Sequence, residues 1–427
     1  MPGMSRVAAD RSYRALLAIP SLARVVAGMQ LARIAQSMVS VAIVLFALTT
    51  YRSPELAGIV TFVSIVPGMI VSPVAGALLD RHGRARLVFL DYVVACASLA
   101  LIGALGMAGE LPVWLLLSIS AVASLTTPLS ATGLRSLFPL LVPRSMWERI
   151  NAVDSMGYVV ATIVGPPISA ALVALLGAPA TLVVIAALFA AAALVVMGIP
   201  DPRTDVASTG RLLLDAWQGL LYTWRNPTLR ALGFSISGMN LAGGMATIVV
   251  PLIVLDHLHQ GPATVGAVFA ASGLGGALAA FAFGRVNSAG RERVMLALPM
   301  VGFAAAIALL LPQQLVLVVA SMTLQGLLNG PMDIGLFTLR QRRTDPAWMG
   351  RAFAVSMNFN FAGFPIGSAI AGWLAARSIE AAVLFGMAAC LLASLIAWRG
   401  IPRVQRERVG EAIDGERAAP AAARWRP

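Results

Sequence analysis

The chain contains no lysine: its 31 basic residues are all arginine, set against 19 acidic ones, for a formal charge of +12 over 427 residues. Charged side chains of either sign make up only 12% of the total, too few to clothe a soluble surface of this size. Cysteine is nearly absent as well. Cys96 and Cys390 both fall inside apolar stretches without metal-ligand spacing, so they are read as packing residues, with no disulfide and no redox role. The chain also lacks G-x-x-x-x-G-K-S, H-E-x-x-H and CxxC, which removes support for ATP-driven transport and for metalloenzyme chemistry. No catalytic residue, metal ligand or cofactor is expected. Residues 1–21 carry Arg6, Arg11 and Arg14 but no short apolar core followed by a cleavage site, so they read as a tail and not as a removable signal.

What the chain has in abundance is apolar residues, 59% of the total, the composition of a polytopic membrane protein whose main partner is the lipid bilayer. Apolar stretches fall at residues 22–48, 56–79, 87–108, 112–138, 150–176, 179–199, 229–255, 263–284, 294–311, 314–339, 352–375 and 380–398, each near the ~20 residues that a bilayer requires. The expectation is an all-α fold of twelve transmembrane helices. The arginines fall in alternate loops: one set of segments holds Arg81, Arg84, Arg86, Arg135, Arg144, Arg149, Arg203, Arg285, Arg291, Arg340 and Arg351 among others, whereas the opposite loops hold only Arg52 and Arg377. Positive residues favour the cytoplasmic side, so both termini are expected there. No basic face is interleaved with aromatics, and nucleic-acid binding is not expected.

The spans divide as a cytoplasmic tail (1–21), a six-helix bundle (22–199), a cytoplasmic central loop (200–228), a second six-helix bundle (229–399) and a tail (400–427) that lacks apolar periodicity and reads as disordered. Within the loop, residues 211–225 present Leu212, Leu213, Trp217, Leu220, Leu221 and Trp224, the pattern of an interfacial amphipathic helix or an ordinary linker helix. Short repeats relate the two bundles. Gly28-Met29-Gln30-Leu31-Ala32 recurs as Gly238-Met239-Asn240-Leu241-Ala242; Gly83, Arg84 and Arg86 match Gly290, Arg291 and Arg293, with Asn287 where Asp80 stands; Arg149, Ala152, Val153 and Gly165 match Arg351, Ala354, Val355 and Gly367. The same order in both halves points to a duplicated six-helix unit.

Between the second and third spans lies Gly76-Ala-Leu-Leu-Asp80-Arg81-His-Gly83-Arg84-Ala-Arg86, a charged turn wedged between apolar segments. This pattern, G-x-x-x-D-R-x-G-R-x-R, resembles the loop signature of the major facilitator superfamily, although such a loop can also serve only to fix orientation. The fifth span carries Gly165-Pro166-Pro167 followed by Ser169 and Ala170, which resembles the antiporter signature G-P-x-x-G-G with small residues in place of both final glycines. A Gly-Pro step removes a backbone hydrogen bond and bends a helix, and small neighbours let another helix approach. Taken together, the chain is similar to the bacterial drug:proton antiporters that include macrolide efflux pumps and the enterobactin exporter. That resemblance implies a multi-pass protein of the bacterial cytoplasmic membrane, working as a monomer by alternating access, in which Gly76, Asp80, Arg81, Gly83 and Arg84 lock the second helix against the start of the eleventh at Arg351. One departure is that the fourth span carries no arginine deep in the membrane; Arg135 lies near its cytoplasmic end.

A charge at mid-bilayer costs at least ~2.5 kcal/mol, so intramembrane polar residues are candidates for function. Arg33 lies nine residues past Arg24, about 13 Å along the first helix. Gln30 and Gln36 flank it. Asn240 matches it in depth on the seventh helix, and Gln325, Asn329 and Asp333 share one face of the tenth. Asp154 and Asp333 are read as the only carboxylates well inside spans, and pairing with Arg33 makes them candidates for proton coupling. The resemblance implies a central cavity lined by helices one, four, seven and ten, where Gln30, Gln36, Asn240, Gln325 and Asn329 would meet a small-molecule substrate. The alternative is a set of interhelical hydrogen bonds and one structural ion pair. Asp91 is read as part of the cytoplasmic charge network. The functional expectation is a proton-coupled exporter of a small organic molecule such as a drug or siderophore; an importer or facilitator of a solute or lipid, and a transport-dead sensor or membrane enzyme, stay open.

Overall fold

The computed structural model describes residues 13–200, 212–283, 291–344 and 349–402, and among these the regular structure is helical throughout. In lipid the backbone must satisfy its own hydrogen bonds, so apolar runs of this length fold as helices. Ten helices among the described residues are long and apolar enough to cross a membrane. The ninth span, Glu292–Ala308, is shorter at 17 residues, and the eleventh is divided into Met349–Phe361 and Gly363–Ala375, whose junction at Ala362 precedes Gly363 and Pro365. The second span is likewise divided, Pro54–Val63 from Val66–His82, with Pro67 beginning the second piece.

Helix ends follow local chemistry. Ser53 caps the second span by accepting from the Leu56 amide at 3.0 Å, with Pro54 at the first helical position, and Ser378 accepts from the Ala381 amide at 3.1 Å. Asn226 caps the seventh span through the Thr228 and Leu229 amides and donates to the Arg343 carbonyl at 3.0 Å. Gly83 turns the chain between the second and third spans at φ 97°, a conformation that suits glycine. Some boundaries differ from expectation. The fourth helix stops at Gly133 and continues as a tighter turn, Arg135–Leu137, and one α-helical turn, Phe138–Leu141; the tenth runs on to Arg343; and residues 13–17 form a short helix with Leu16 fully buried. The linker helix spans Leu212–Arg225 and, through Trp217, Leu221 and Trp224, covers with Val355 and Phe359 an apolar cavity of about 350 Å³. Residues 1–12, 201–211, 284–290, 345–348 and 403–427, including Asn287 and most of the second tail, lie outside the described residues.

Within each half the same helices meet: the first span packs on the fifth and sixth, and the seventh on the eleventh and twelfth. Gly165 in the fifth span lies against Ser37 and the Ile34 carbonyl, and Gly367 in the eleventh lies against the Leu241 backbone. Matching hydrogen bonds tie each pair, Ser169 Oγ donating to Met38 O at 2.8 Å and Ser368 Oγ to Gly244 O at 3.2 Å. Between the halves, Pro54–Val63 packs on Gly363–Ala375 and the fifth span packs on the eighth. Gly58 and Gly372 back onto one another there; a Cβ on Gly372 would sit 2.5 Å from the Pro54 carbonyl oxygen. Glu55 and Arg377 flank this contact at 3.2 Å, both half-exposed, a pair worth at most about 1 kcal/mol. The halves are thus closed at the end away from the termini. Nearer the termini Asn358 Nδ2 reaches Ser72 Oγ at 3.4 Å, and the exposed residues there include Asn329, Asp333 and Arg135.

Candidate functional site

The first-half site grows from the facing sides of the first and fifth spans. Asp154 and Gly157 lie three apart on one face of the fifth helix, so two adjacent turns meet the first helix together. Arg33 Nη2 contacts Asp154 Oδ1 at 2.5 Å, and Arg33 Nη1 donates to the Asp154 backbone carbonyl at 2.9 Å. Arg135, brought inward by the tight turn after Gly133, places Nη2 2.6 Å from Asp154 Oδ2. One carboxylate is therefore held between two guanidiniums from different segments. The Asp154 side chain is 5% exposed and Arg33 19%, while Arg135 is 53% exposed, so the clasp is sealed on one side and open on the other. One turn away, Gln30 Nε2 donates to the Gly157 carbonyl at 2.9 Å.

A cavity of about 230 Å³ opens beside this clasp, lined by Arg33, Gln36, Ser130 and Arg135 with the rings of Tyr92, Tyr158 and Phe189. It combines apolar walls with a few convergent polar groups, the usual make-up of a small-molecule site. Two guanidiniums share one carboxylate, so the clasp carries a formal positive charge of one.

The second half is arranged differently. Asn240 Nδ2 donates to the Asn360 carbonyl at 2.9 Å, bonding the seventh span to the eleventh as Gln30 bonds the first to the fifth. Gln325 is buried and turned on its own helix, donating to Ser321 Oγ at 3.0 Å, so it does not open onto a cavity. Asn329 and Asp333 are exposed. Among the described residues Asp333 has no ion pair, and it is not joined to Arg33, whose carboxylate partner is Asp154.

At the loop between the second and third spans Arg81 is exposed and Gly83 makes the turn, while the surroundings of Gly76 and the side chains of Asp80 and Arg351 are outside what the structure describes. The helix Trp147–Leu176 runs through Gly165, Pro166 and Pro167 without a break. That segment is a junction: Gly165 meets the first span, Ser169 bonds it, and Pro167 with Ala170 meets Gly266 of the eighth span. Gly275 approaches the Thr323 carbonyl of the tenth span, a packing contact.

Two residues stand apart from the sequence reading. By sequence Arg135 is one orientation arginine among many, and only the helix-ending Gly133 before it hints that it turns inward. Asp91 does not join the cytoplasmic charge network: it is 3% exposed, beside the Thr126 and Ser130 hydroxyls. The signal was the unbroken apolar run on both sides of it, Leu87-Val-Phe-Leu and Tyr92-Val-Val-Ala.

The sequence pattern of the Major Facilitator Superfamily matches residues 25–243 and again 231–427, once for each half. An MFS-type transporter of Sinorhizobium fredii, y4rN, is 36% identical over 398 residues, covering 92% of this chain and 97% of that one. Macrolide efflux protein A of Streptococcus pyogenes is 24% identical over 364 residues, 82% of this chain and 88% of its own. Multidrug efflux pump Tap of Mycolicibacterium fortuitum is 26% identical over 359 residues, 80% and 86% respectively. Among solved structures, a mutant form of the nucleoside transporter NupG superposes with a TM-score of 0.72 at 12% identity, over 89% of this chain and 99% of that one. The paired halves, the repeated helix contacts and these matches agree: the chain belongs to the Major Facilitator Superfamily and is a multi-pass membrane transporter, not an enzyme.

Proposed function

We propose that this transporter exports an amphipathic organic compound, a drug or a siderophore, in exchange for protons, by alternating access between its two halves. The export direction is supported by the likeness to macrolide and multidrug efflux proteins over about four-fifths of the chain. The coupling is supported by one observation above the others, the Asp154 carboxylate held between Arg33 and Arg135 at the wall of a cavity. Such a group responds to its charge partners, and a proton-coupled carrier needs carboxylates whose partners change between states. Arg33, Gln36 and Arg135 meet the substrate from the first half, and Asn329 and Asp333 from the second. The loop residues Gly76, Asp80, Arg81, Gly83 and Arg84 act with Arg351 as the lock on the cytoplasmic side. Both termini are cytoplasmic, in a bacterial inner membrane, and the protein works as a monomer.

Inverted membrane vesicles test the proposal. With the lumen acidified, vesicles containing the protein should accumulate erythromycin or ethidium, and a protonophore should abolish the accumulation. Accumulation that survives the protonophore would remove proton coupling, and inward transport of these probes by intact cells would reverse the direction. In intact cells a cysteine at the exposed Gln260 should react with an impermeant maleimide and one at the exposed His82 should not; the opposite result would invert the topology.

A further inference from the structure

The clasp engages both oxygens of Asp154, and Asp333 stands exposed, yet a third carboxylate lies inside the first half. Asp91, on the third span, is buried, and among the described residues no arginine is paired with it. A carboxyl group withdrawn from water is much less costly as the neutral acid than as an uncompensated anion, so a buried acid without a cation is a place where a proton can be stored. Its immediate surroundings suit both forms. The Thr126 and Ser130 side chains of the fourth span are the polar groups beside the carboxylate. Each hydroxyl also reaches a carbonyl of its own helix, Thr126 Oγ1 to Ala123 O at 3.1 Å and Ser130 Oγ to Thr127 O at 3.2 Å. A hydroxyl has one hydrogen and two lone pairs. Directed at the carboxylate, that hydrogen solvates the anion; directed at the helix carbonyl, it leaves an oxygen that accepts from the protonated acid. No other residue need move for the cradle to serve both.

Ser130 also lines the cavity that holds Arg33 and Arg135, so a path from Asp91 to the cavity is one side chain long. Of the elements packed on the third span the fourth and sixth carry no charge, while Arg84 and Arg86 stand on the third itself, seven and five residues before Asp91. The fourth span from Val113 to Gly133 and the sixth from Ala178 to Val196 contain no ionisable side chain, Tyr92 is its neighbour on the same helix, and the cytoplasmic piece of the second span ends in Asp80, Arg81 and His82. The Asp154 clasp, by contrast, is an anion already committed to two cations.

We propose that Asp91, cradled by Thr126 and Ser130, is the carboxylate that carries the coupled proton, with the Arg33–Asp154–Arg135 clasp as the charged group that senses it across the cavity. This rests on the proton-coupled reading above and names the residue within it. The step is a protonation alone: a proton from the external side binds one carboxylate oxygen, and the same bond breaks towards the cytoplasmic side after the halves rock.

A substrate-free measurement tests it, with the proton as the only probe. In a cysteine-free background (Cys96→Ala, Cys390→Ala), fluorophores on Glu110→Cys and Gln260→Cys report the distance between the halves at the end away from the termini. The protein, in liposomes, is titrated from about pH 5 to about pH 9, where perturbed carboxylates change charge. The parent pair should change distance with pH, Asp91→Asn should lose the change, Asp91→Glu should keep it at a shifted midpoint, and replacing His82, His257 and His259 by Gln should not remove it. A parent that responds while Asp91→Asn responds at the same midpoint overturns Asp91 and leaves proton coupling standing. A parent with no response overturns the coupling itself, and this inference with it. Should Asp91→Asn fail to reach the membrane, the Thr126→Val, Ser130→Ala double variant decides: a shifted midpoint supports the cradle and an unchanged one overturns it.

Discussion

Valine at Gly58 is expected to abolish transport while leaving the protein folded in the membrane. A Cβ at Gly58 would fall inside contact distance of the Ser368 carbonyl oxygen and within 3.2 Å of the Cα atoms of Ala369 and Gly372. These are backbone atoms of the opposite half, which cannot turn aside as a side chain can. Overpacking of this kind costs about 1–3 kcal/mol. The cost falls only on the arrangement in which the halves meet at this end, so the balance between states should shift by roughly 5- to 150-fold towards opening there. Gly372→Ala should act in the same direction, because its Cβ would press on the Pro54 carbonyl and Gly58. Transport assays and the Glu110/Gln260 distance read the two effects together. A Gly58→Val protein that transports at the parent rate would show that the Gly58–Gly372 contact has no part in closure.

The second large effect is expected at Asp154, and it is one of stability. Removing the carboxylate leaves Arg33, 19% exposed, with no counter-charge, although its bond to the backbone carbonyl at position 154 remains. Breaking a buried pair by deleting one partner costs about 3–5 kcal/mol. The half-exposed Arg135 recovers hydration and lowers the total. Asp154→Ala should therefore give much less folded protein in the membrane and a clearly lower melting temperature in detergent. Asp154→Asn, whose amide oxygen still accepts one guanidinium hydrogen bond, should lose less. Arg33→Leu combined with Asp154→Leu should recover part of the loss, since neither charge is then stranded. An Asp154→Ala protein as stable as the parent would remove the clasp from the architecture.

Helix positions were legible in the sequence because apolar length is a direct requirement of the bilayer, and observed ends such as Leu22, Leu176 and Ala308 fall within a few residues of it. The Arg33–Asp154 pair was legible for a related reason: opposite charges inside spans are costly alone and cheap together. Arg135 was not, because an arginine at a helix end has the same composition whether it faces headgroups or folds back on a carboxylate, and three-dimensional turn geometry decides. Asp91 misleads by its nearness in sequence to Arg84 and Arg86, whereas the helix carries it away from them along the axis. The shared face of Gln325, Asn329 and Asp333 is a sound reading of helical period, but which polar groups bond their own helix, as Gln325 does with Ser321, depends on packing that periodicity does not contain. Gly58 and Gly372 gave no signal at all among so many glycines.

Several bonds that join helices in this protein end on a main-chain oxygen: Gln30 on Gly157, Ser169 on Met38, Asn240 on Asn360 and Ser368 on Gly244. A peptide carbonyl is supplied by whatever residue occupies the position, so no substitution there deletes the acceptor. Deleting the donor removes such a junction outright, and two of the acceptors carry a steric condition besides, since a Cβ on Gly157 would collide with Gln30 and one on Gly244 with Phe364 O and Ser368. Where the acceptor is not such a glycine, as at Met38 and Asn360, the side chain can change without removing the bond's oxygen, and Gln30 in one half and Asn240 in the other each reach a carbonyl of the facing helix. Ionised groups answer to a stricter rule, because each charge needs its particular counterpart. In the first half Arg33, Arg135 and Asp154 are bound to one another in this way, so none of the three can change independently.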